Sequence, residues 1–281
     1  MTNLEQIQKI SDAEYFSVKA VSASQIKAYD HGAYYFWKSS PFNPEKTPEE
    51  ETDALVFGKL CHCMLLEPEK VKEEYEVADF GASRRNKKYA EIKAANIDKI
   101  IINQAEFDHA SKMITCIKEH RLASAIINGA TAEMPFMWTD KLTGLPCKAK
   151  IDAIKRTKNG LVVIDYKTSS DISGLLNFPQ KLQYPLQAEF YSRAVEAKYG
   201  ERPVEFIFII QSNKDDEEDV VCVANVEYET QQAAADIVDH HLLLIKEKLE
   251  AWNDSYDKQL FAAYPERVEM RYSNWFMERS L

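Results

Sequence analysis

Runs in which apolar and polar residues alternate, or in which apolar residues follow one another, occupy the middle of the chain and predict strands. The predicted strands are 132–139, 146–157, 161–168, 204–211 and 220–227. Only turn residues separate the first three, whereas a helical pattern separates the third from the fourth. The central order is therefore helix, three strands, helix, strand, which predicts an α/β domain with a mixed sheet.

Helix signals dominate the amino side of the chain. Ser22-x-x-Gln25 is a capping box that predicts a helix through about Tyr35. Thr47-Pro48-Glu49-Glu50 predicts a second helix, apolar on nearly all sides and so buried, that ends near Leu66. The remaining predicted helices are two within 86–127, one over 181–199 that ends at Gly200, and a long one over 230–252.

Composition narrows the class of protein. With 281 residues, 45% of them hydrophobic, we expect a lead-in segment over 1–20 and one globular domain over 21–281. No run of 18 apolar residues and no signal-peptide layout is present, so we expect a soluble, cytoplasmic protein with no membrane partner. The five cysteines are odd in number and scattered, which indicates reduced thiols, and Cys61-x-Cys63 alone does not predict a zinc or iron–sulfur site.

The net charge of −10 is unevenly distributed. Residues 81–100 hold six basic and two acidic residues and residues 141–160 hold six and one, so these zones carry +4 and +5 and the rest of the chain −19. Basic zones on an acidic body are able to bind a phosphate backbone, and the Arg84-Arg85-Asn86-Lys87-Lys88 cluster is the candidate contact. The alternative is a solvated acidic surface with incidental lysines.

Two predicted strands joined by Asn159-Gly160 carry the chemistry. A type I′ turn at this pair would set Lys158 opposite Leu161 and Asp152 opposite Lys167, with Asp165 on the same face as Lys167. Two neighbouring carboxylates repel unless they share a proton or bind a cation, and a divalent ion such as Mg²⁺ prefers oxygen ligands. This group predicts metal-dependent phosphodiester hydrolysis, and the alternative is a plain cross-strand salt bridge.

Four further residues are weak signals when each motif is taken alone. His62 lies one helical turn after Gly58, and Gln187 and Tyr191 have the same i, i+4 spacing on the helix that follows the meander. Glu133 opens an otherwise apolar strand. In isolation, such a histidine is more often a hydrogen-bonded core residue, such a helix pair an ordinary polar pair, and such a glutamate a surface residue.

Taken in order, these residues resemble the motifs of the PD-(D/E)XK nuclease superfamily. The motifs are Gly58-x-x-x-His62, Glu133, Ile151-Asp152, Asp165-x-Lys167 and Gln187-x-x-x-Tyr191, and within the superfamily they are similar to the RecB-type branch. Further segments resemble the nuclease domain of RecE-type enzymes of phage origin (exodeoxyribonuclease VIII): Ser22-Ala23-Ser24, Leu66-Glu67-Pro68-Glu69 and Trp138-Thr139-Asp140-x-x-Thr143-Gly144-x-x-Cys147-Lys148. The resemblance covers about residues 20–260 and implies a restriction-endonuclease-like core with extra helices at the amino side.

The resemblance implies a role for each motif residue. His62, Asp152, Asp165 and the Tyr166 carbonyl would bind Mg²⁺, with Mn²⁺ as a substitute, and Lys167 would be the catalytic lysine. Glu133 would be an accessory acid, and Gln187 and Tyr191 would position the substrate strand or Lys167. Ile151 stands where the motif has proline. The cysteines that hold an iron–sulfur cluster in some relatives have no counterpart, and no Gly-x-x-x-x-Gly-Lys loop for ATP occurs.

The resemblance also implies an activity. The expected reaction is 5′→3′ degradation of linear double-stranded DNA, which leaves 3′ overhangs for recombination. The implied partners are DNA ends, further copies of the chain in a ring, and a RecT-like single-strand annealing protein, in the host cytoplasm if the protein is phage-encoded. The alternatives are a site- or structure-specific endonuclease with the same fold and a non-catalytic DNA-binding phage protein.

Overall fold

The structure, a computed structural model, describes residues 12–47, 51–81, 83–177 and 183–262 and contains both helices and strands. The helices are α1 (Asp12–Ser17), α2 (Ala23–Asp30), α3 (Ala33–Ser39), α4 (Asp53–Leu66), α5 (Val71–Glu74), α6 (Lys87–Ala95), α7 (Gln104–Glu119), α8 (Arg121–Ile127), α9 (Ile172–Asn177), α10 (Tyr184–Tyr199) and α11 (Tyr228–Ser255). The strands are β1 (Tyr75–Val77), β2 (Ile100–Ile102), β3 (Thr131–Thr139), β4 (Pro146–Thr157), β5 (Gly160–Ser169), β6 (Glu205–Ser212) and β7 (Val221–Asn225).

The central sheet has the order β3-β4-β5-β6-β7. All neighbouring pairs are antiparallel except β5 and β6, which are parallel and are joined through α9 and α10. This arrangement confirms the predicted α/β class with its order of helix, three strands, helix and strand. It also places the ends of β4 and β5 next to the helix that follows them.

Two regions differ from the prediction on the amino side. The predicted two-helix region over 86–127 contains three helices and β2, a run of three isoleucines that pairs in parallel with β1. The helix that opens at Ser22 ends at Asp30, because Gly32 follows with a φ of 121°, a conformation that breaks the helix before α3. The capping box itself is present, since the Ser22 N–H donates to Gln25 Oε1 at 2.9 Å.

The buried helix begins later than predicted. Thr52 caps α4 by accepting a hydrogen bond from the Leu55 N–H at 3.2 Å, and α4 ends at Leu66 as expected. The predicted start at Thr47 extends into Pro48–Glu50, which lie outside the described residues. The same holds for parts of the predicted lead-in, of the 181–199 helix and of the carboxyl side of the predicted domain.

The predicted hairpin register is wrong by two residues. Thr157 pairs with Gly160, so the turn consists of Lys158 and Asn159, and Asn159 has no positive φ. Gly160 is instead required inside β5: its φ is 139°, and a Cβ there would lie 2.6 Å from Cγ1 of Val204. The glycine therefore serves a close approach to the segment before β6 and not a type I′ turn.

Strands β4 and β5 pair with each other over only part of their lengths and then separate. Their ladder ends at the pair Ala153 and Ile164. Beyond it β4 continues along β3 as far as Pro146, and β5 continues along β6 as far as Ser169. Continued past its end, the register would set Asp152 opposite Asp165, so the predicted pairing of Asp152 with Lys167 is wrong, but both acids lie where the strands part.

Helices cover both faces of the sheet. One core packs α4 and α7 against Val162, Ile164 and Tyr166 of β5, and another packs α10 against Leu161 and Val163 of the same strand. Alternation along β5 therefore directs Asp165 and Lys167 toward the α10 face. None of the helices in the described ranges combines the length and apolarity needed to span a bilayer.

The amino-side helices are tied to the sheet by a buried lysine. Lys148 on β4 donates to the backbone oxygens of Tyr15 at 3.0 Å and Val18 at 2.8 Å, and its ammonium lies 4.9 Å from the Tyr15 ring centre. A cation at the end of a helix satisfies carbonyls that lack intrahelical partners. The described part of the predicted lead-in is thus packed against the domain.

Candidate active site

Asp165 and Lys167 form a buried ion pair on β5. Asp165 is 0% exposed, and the Lys167 ammonium contacts its Oδ1. That contact lacks hydrogen-bond geometry, because Asp165 Oδ1 has no hydrogen-bond partner in the structure. The pair is therefore held by charge, with the Lys167 ammonium placed against Oδ1 of the carboxylate.

Asp152 lies where β4 and β5 separate, and its side chain links β4 to β5 and to α4. Its Oδ2 accepts a hydrogen bond from the Tyr166 backbone N–H at 2.9 Å. The same oxygen is 3.4 Å from Nδ1 of His62 on α4. The sequence-predicted residues of α4, β4 and β5 thus converge, and the charges of Asp152 and Lys167 both act on Asp165.

The side chain of Tyr166 fixes the segment between the two charged residues. Its ring centre is 5.1 Å from that of His62, and its hydroxyl donates to Oε1 of Gln211 at 2.7 Å. Gln211, on β6, donates in turn to the Met113 backbone oxygen at 2.8 Å. Sequence reasoning did not identify Gln211, since only tertiary packing brings β6 against Tyr166 and α7. The metal-binding role of the Tyr166 carbonyl stays a prediction.

Gln187 and Lys27 complete the site from α10 and α2. Gln187 Nε2 donates to Asp165 Oδ2 at 2.6 Å, and Lys27 Nζ donates to Gln187 Oε1 at 3.0 Å. Because an ammonium only donates, Lys27 requires the Gln187 oxygen to face it and turns the amide N–H group toward Asp165. Tyr191 is one turn further along α10, and its hydroxyl also interacts with Gln187. No sequence motif marks Lys27.

Burial dominates the electrostatics of the two acids. It raises the pKa of Asp165 to about 6, with Asp152 adding to the effect and Lys167 opposing it. Burial raises the pKa of Asp152 as well. The pKa of Lys167 is raised because its attraction to Asp165 and Asp152 outweighs burial.

The shift at Asp165 has a definite consequence for stability. Its ordinary pKa is 3.8, so between pH 4 and 6 the folded state binds more protons than the unfolded state. The contribution of Asp165 to stability in the metal-free protein therefore falls as the pH rises through this range.

The residues fit a divalent cation. Two close carboxylates that resist ionisation, a carboxylate oxygen without a hydrogen bond and a neighbouring imidazole form a donor set that suits a hard ion. Among the described residues, no three acid, histidine or cysteine side chains are already gathered as a metal cluster. Asp152, Asp165 and His62 would hold the ion, which would polarise a phosphoryl oxygen and lower the pKa of bound water.

The other predicted site residues lie elsewhere or are only partly described. Glu133 is on β3 between residues that pair with Ala153 and Ile151, but its side chain lies outside the described set. Arg84 forms ion pairs within the protein, since its side chain is 13% exposed and its guanidinium contacts Asp53 and Glu106, each at 2.7 Å.

The rest of the basic cluster is more open. Lys87 and Lys88 are exposed and pair with Glu91 at 3.6 Å and Asp79 at 2.8 Å. The structure therefore accounts for Arg84 as an ion-pair residue. DNA contact by Arg85, Lys87 and Lys88 stays a prediction.

Comparisons with known proteins agree with this geometry. The model of a family described as "PDDEXK-like domain of unknown function (DUF3799)" matches residues 22–254. A Eubacterium rectale protein whose structure is described as a "Putative exonuclease" is similar over 85% of this chain and 87% of its own, with a TM-score of 0.58 and 16% identity. The structure of SSO0001 covers 79% of this chain and 84% of its own, at 15% identity and a TM-score of 0.30, and supports no argument.

No curated protein matches the sequence. The family match and the shared fold confirm the predicted PD-(D/E)XK resemblance and the restriction-endonuclease-like core.

Proposed function

Because the chain belongs to the DUF3799 family of PDDEXK-like domains, we propose that it is a metal-dependent nuclease that hydrolyses phosphodiester bonds in DNA. The observation that carries the proposal is the meeting of Asp152, Asp165 and Lys167 where β4 and β5 part, with Gln187 bonded to Asp165. A plain salt bridge needs one acid, whereas here a second acid, Asp152, whose pKa is raised by burial, shares the attraction of the Lys167 ammonium with Asp165.

The side chains divide the chemical work. Asp152, Asp165 and His62 would hold the divalent ion, of which Mg²⁺ is the proposed one and Mn²⁺ a substitute. The Lys167 ammonium offsets negative charge that builds on the phosphate while water attacks. Gln187 keeps Asp165 oriented, and Tyr166, anchored by Gln211, keeps the backbone of the motif in place.

For the substrate, we propose the ends of linear double-stranded DNA, degraded 5′→3′ to leave 3′ overhangs for recombination. The RecE-type motifs support this proposal, and the similar Eubacterium rectale protein carries an exonuclease description. A ring of several copies and a RecT-like annealing protein as partner belong to the same proposal.

The test compares linear and closed circular duplexes of equal sequence, each with Mg²⁺ or with EDTA. We expect loss of the linear duplex with Mg²⁺ only, release of nucleotides from the 5′ end of end-labelled substrate, and an intact circle. Cleavage of the circle would indicate an endonuclease instead. DNA binding without cleavage of either form would indicate the non-catalytic alternative.

Divalent ions are expected to stabilise the folded protein through Asp165. An ion at about 100 times its Kd adds about 2.7 kcal/mol, which raises the Tm of a protein of this size by about 5 °C. Asp165→Asn should abolish most of that shift because it removes a charged ligand. Thermal unfolding with and without Mn²⁺ measures the effect.

The matched control is Asp98→Asn, which changes an exposed acid next to β2. It should keep the full Mn²⁺-induced rise in Tm. Equal Tm shifts in both variants would contradict the assignment of Asp165 as a ligand.

A further inference from the structure

Lys27 brings a second ammonium to the candidate active site from a different part of the chain. It lies on α2, 160 residues from Gln187, whose Oε1 accepts its hydrogen bond at 3.0 Å. The Tyr184 ring lies between the two lysines: its centre is 5.9 Å from Nζ of Lys27 and 5.8 Å from Nζ of Lys167. Lys27 therefore lies beside the buried acids, linked to Asp165 through Gln187.

Lys27 forms no ion pair with an acid in the part of the chain that the structure describes, and Asp165 attracts its charge from beyond ion-pair distance. Among the described residues, no carboxylate oxygen lies within 4.0 Å of its Nζ, and Gln187 is its one hydrogen-bond acceptor. Asp165 is already engaged by Lys167 and Gln187. An ammonium has three donors, so two remain beyond the bond to Gln187.

It is unfavourable to place a charge that has no ion-pair partner at a partly buried position. Burial and the nearby Lys167 lower the pKa of Lys27 to about 8, against a smaller opposing effect of Asp165, so the charged form is less favoured here than in water. A divalent ion at Asp152 and Asp165 would leave still less negative charge for Lys27. An anion beside Lys27 would supply the negative charge that offsets its ammonium.

We propose that Lys27 binds a backbone phosphate of the DNA strand in the active site. This inference rests on the proposed function. Lys27 would contact a non-bridging oxygen of the phosphate while its bond to Gln187 fixes the direction of its ammonium. The contact adds affinity without base preference, as phosphate contacts do.

The test measures binding of a fluorescent duplex by the full-length protein at several salt concentrations, in Ca²⁺ and in EDTA. A gel checks that the duplex stays intact. Lys27→Met should weaken binding about tenfold and reduce the slope of log K against log salt by about one, because one fewer counterion is released. Lys27→Arg should keep the wild-type slope.

Two variants separate this contact from other roles. Lys27→Gln keeps a donor toward Gln187 but has no charge, so it should show the reduced slope, and a wild-type slope in this variant would overturn the phosphate contact. It also serves if Lys27→Met does not fold. Lys118→Met changes an exposed lysine on α7 and should keep the wild-type slope.

The outcomes distinguish the two proposals. An unchanged slope and affinity in Lys27→Met and Lys27→Gln, with normal binding by the wild type, would overturn the Lys27 inference alone. A wild type that binds no duplex under any condition would contradict both the inference and the proposed function.

Discussion

Replacing Lys167 with methionine is expected to slow DNA hydrolysis by about a hundredfold to a thousandfold. The ammonium is the positive group beside Asp165 and Asp152, and a loss of this size is typical when a group that stabilises transition-state charge is removed. Methionine keeps much of the volume of the lysine stem, so packing should change little. Single-turnover cleavage of a labelled linear duplex with saturating Mg²⁺ measures the effect.

Lys155→Met is the matched control on the neighbouring strand. The Lys155 ammonium donates to the Ala125 backbone oxygen at 2.9 Å, away from the point where β4 and β5 separate. The cleavage rate of Lys155→Met should therefore stay close to that of the wild type. Duplex binding by Lys167→Met should persist, which would show that the variant is folded. A rate within tenfold of the wild type in Lys167→Met would remove this lysine from the catalytic assignment.

Replacing Gln211 with leucine is expected to lower the free energy of unfolding by about 3 kcal/mol. Gln211 is 0% exposed, and its loss leaves the Tyr166 hydroxyl and the Met113 carbonyl without these partners. Each buried polar group left unsatisfied costs about 1–3 kcal/mol. Urea unfolding, followed by circular dichroism, measures the change.

Two further variants show whether the loss of stability in Gln211→Leu comes from the polar groups that it leaves without hydrogen bonds. Tyr166→Phe removes one of them, so Gln211→Leu combined with Tyr166→Phe should cost less than the sum of the single changes. Gln104→Leu, an exposed glutamine at the start of α7, should change stability by no more than about 0.5 kcal/mol. A Gln211→Leu protein as stable as the wild type would show that water replaces these bonds.

Local patterns predicted most of the sheet. Strand β4 spans 146–157 as expected, because its apolar residues and flanking turn residues act within a few positions of one another. The hairpin register could not be obtained in this way. Asn159-Gly160 favours a type I′ turn locally, but Gly160 is placed by its approach to Val204, which lies 44 residues further on.

The same distinction between local sequence patterns and tertiary packing applies to the residues of the candidate site. The sequence was sufficient to pair Asp165 with Lys167, because side chains two residues apart on a strand lie on the same face of the sheet. It was not sufficient to place Lys27 and Gln211, since one comes from α2 and the other from β6, and no spacing in the chain relates them to Asp165. Their roles follow only from the packing of distant elements.

The hydrogen bond between Asp152 and the Tyr166 N–H ties the proposed metal site to the integrity of the sheet. Where the ladder of β4 and β5 stops, this carboxylate takes the place of a backbone acceptor, so an evolutionary loss of the acid also strands an amide. Asparagine retains an oxygen for that amide, whereas alanine does not. Inactive descendants of this domain should therefore carry asparagine at position 152 more readily than a small apolar residue.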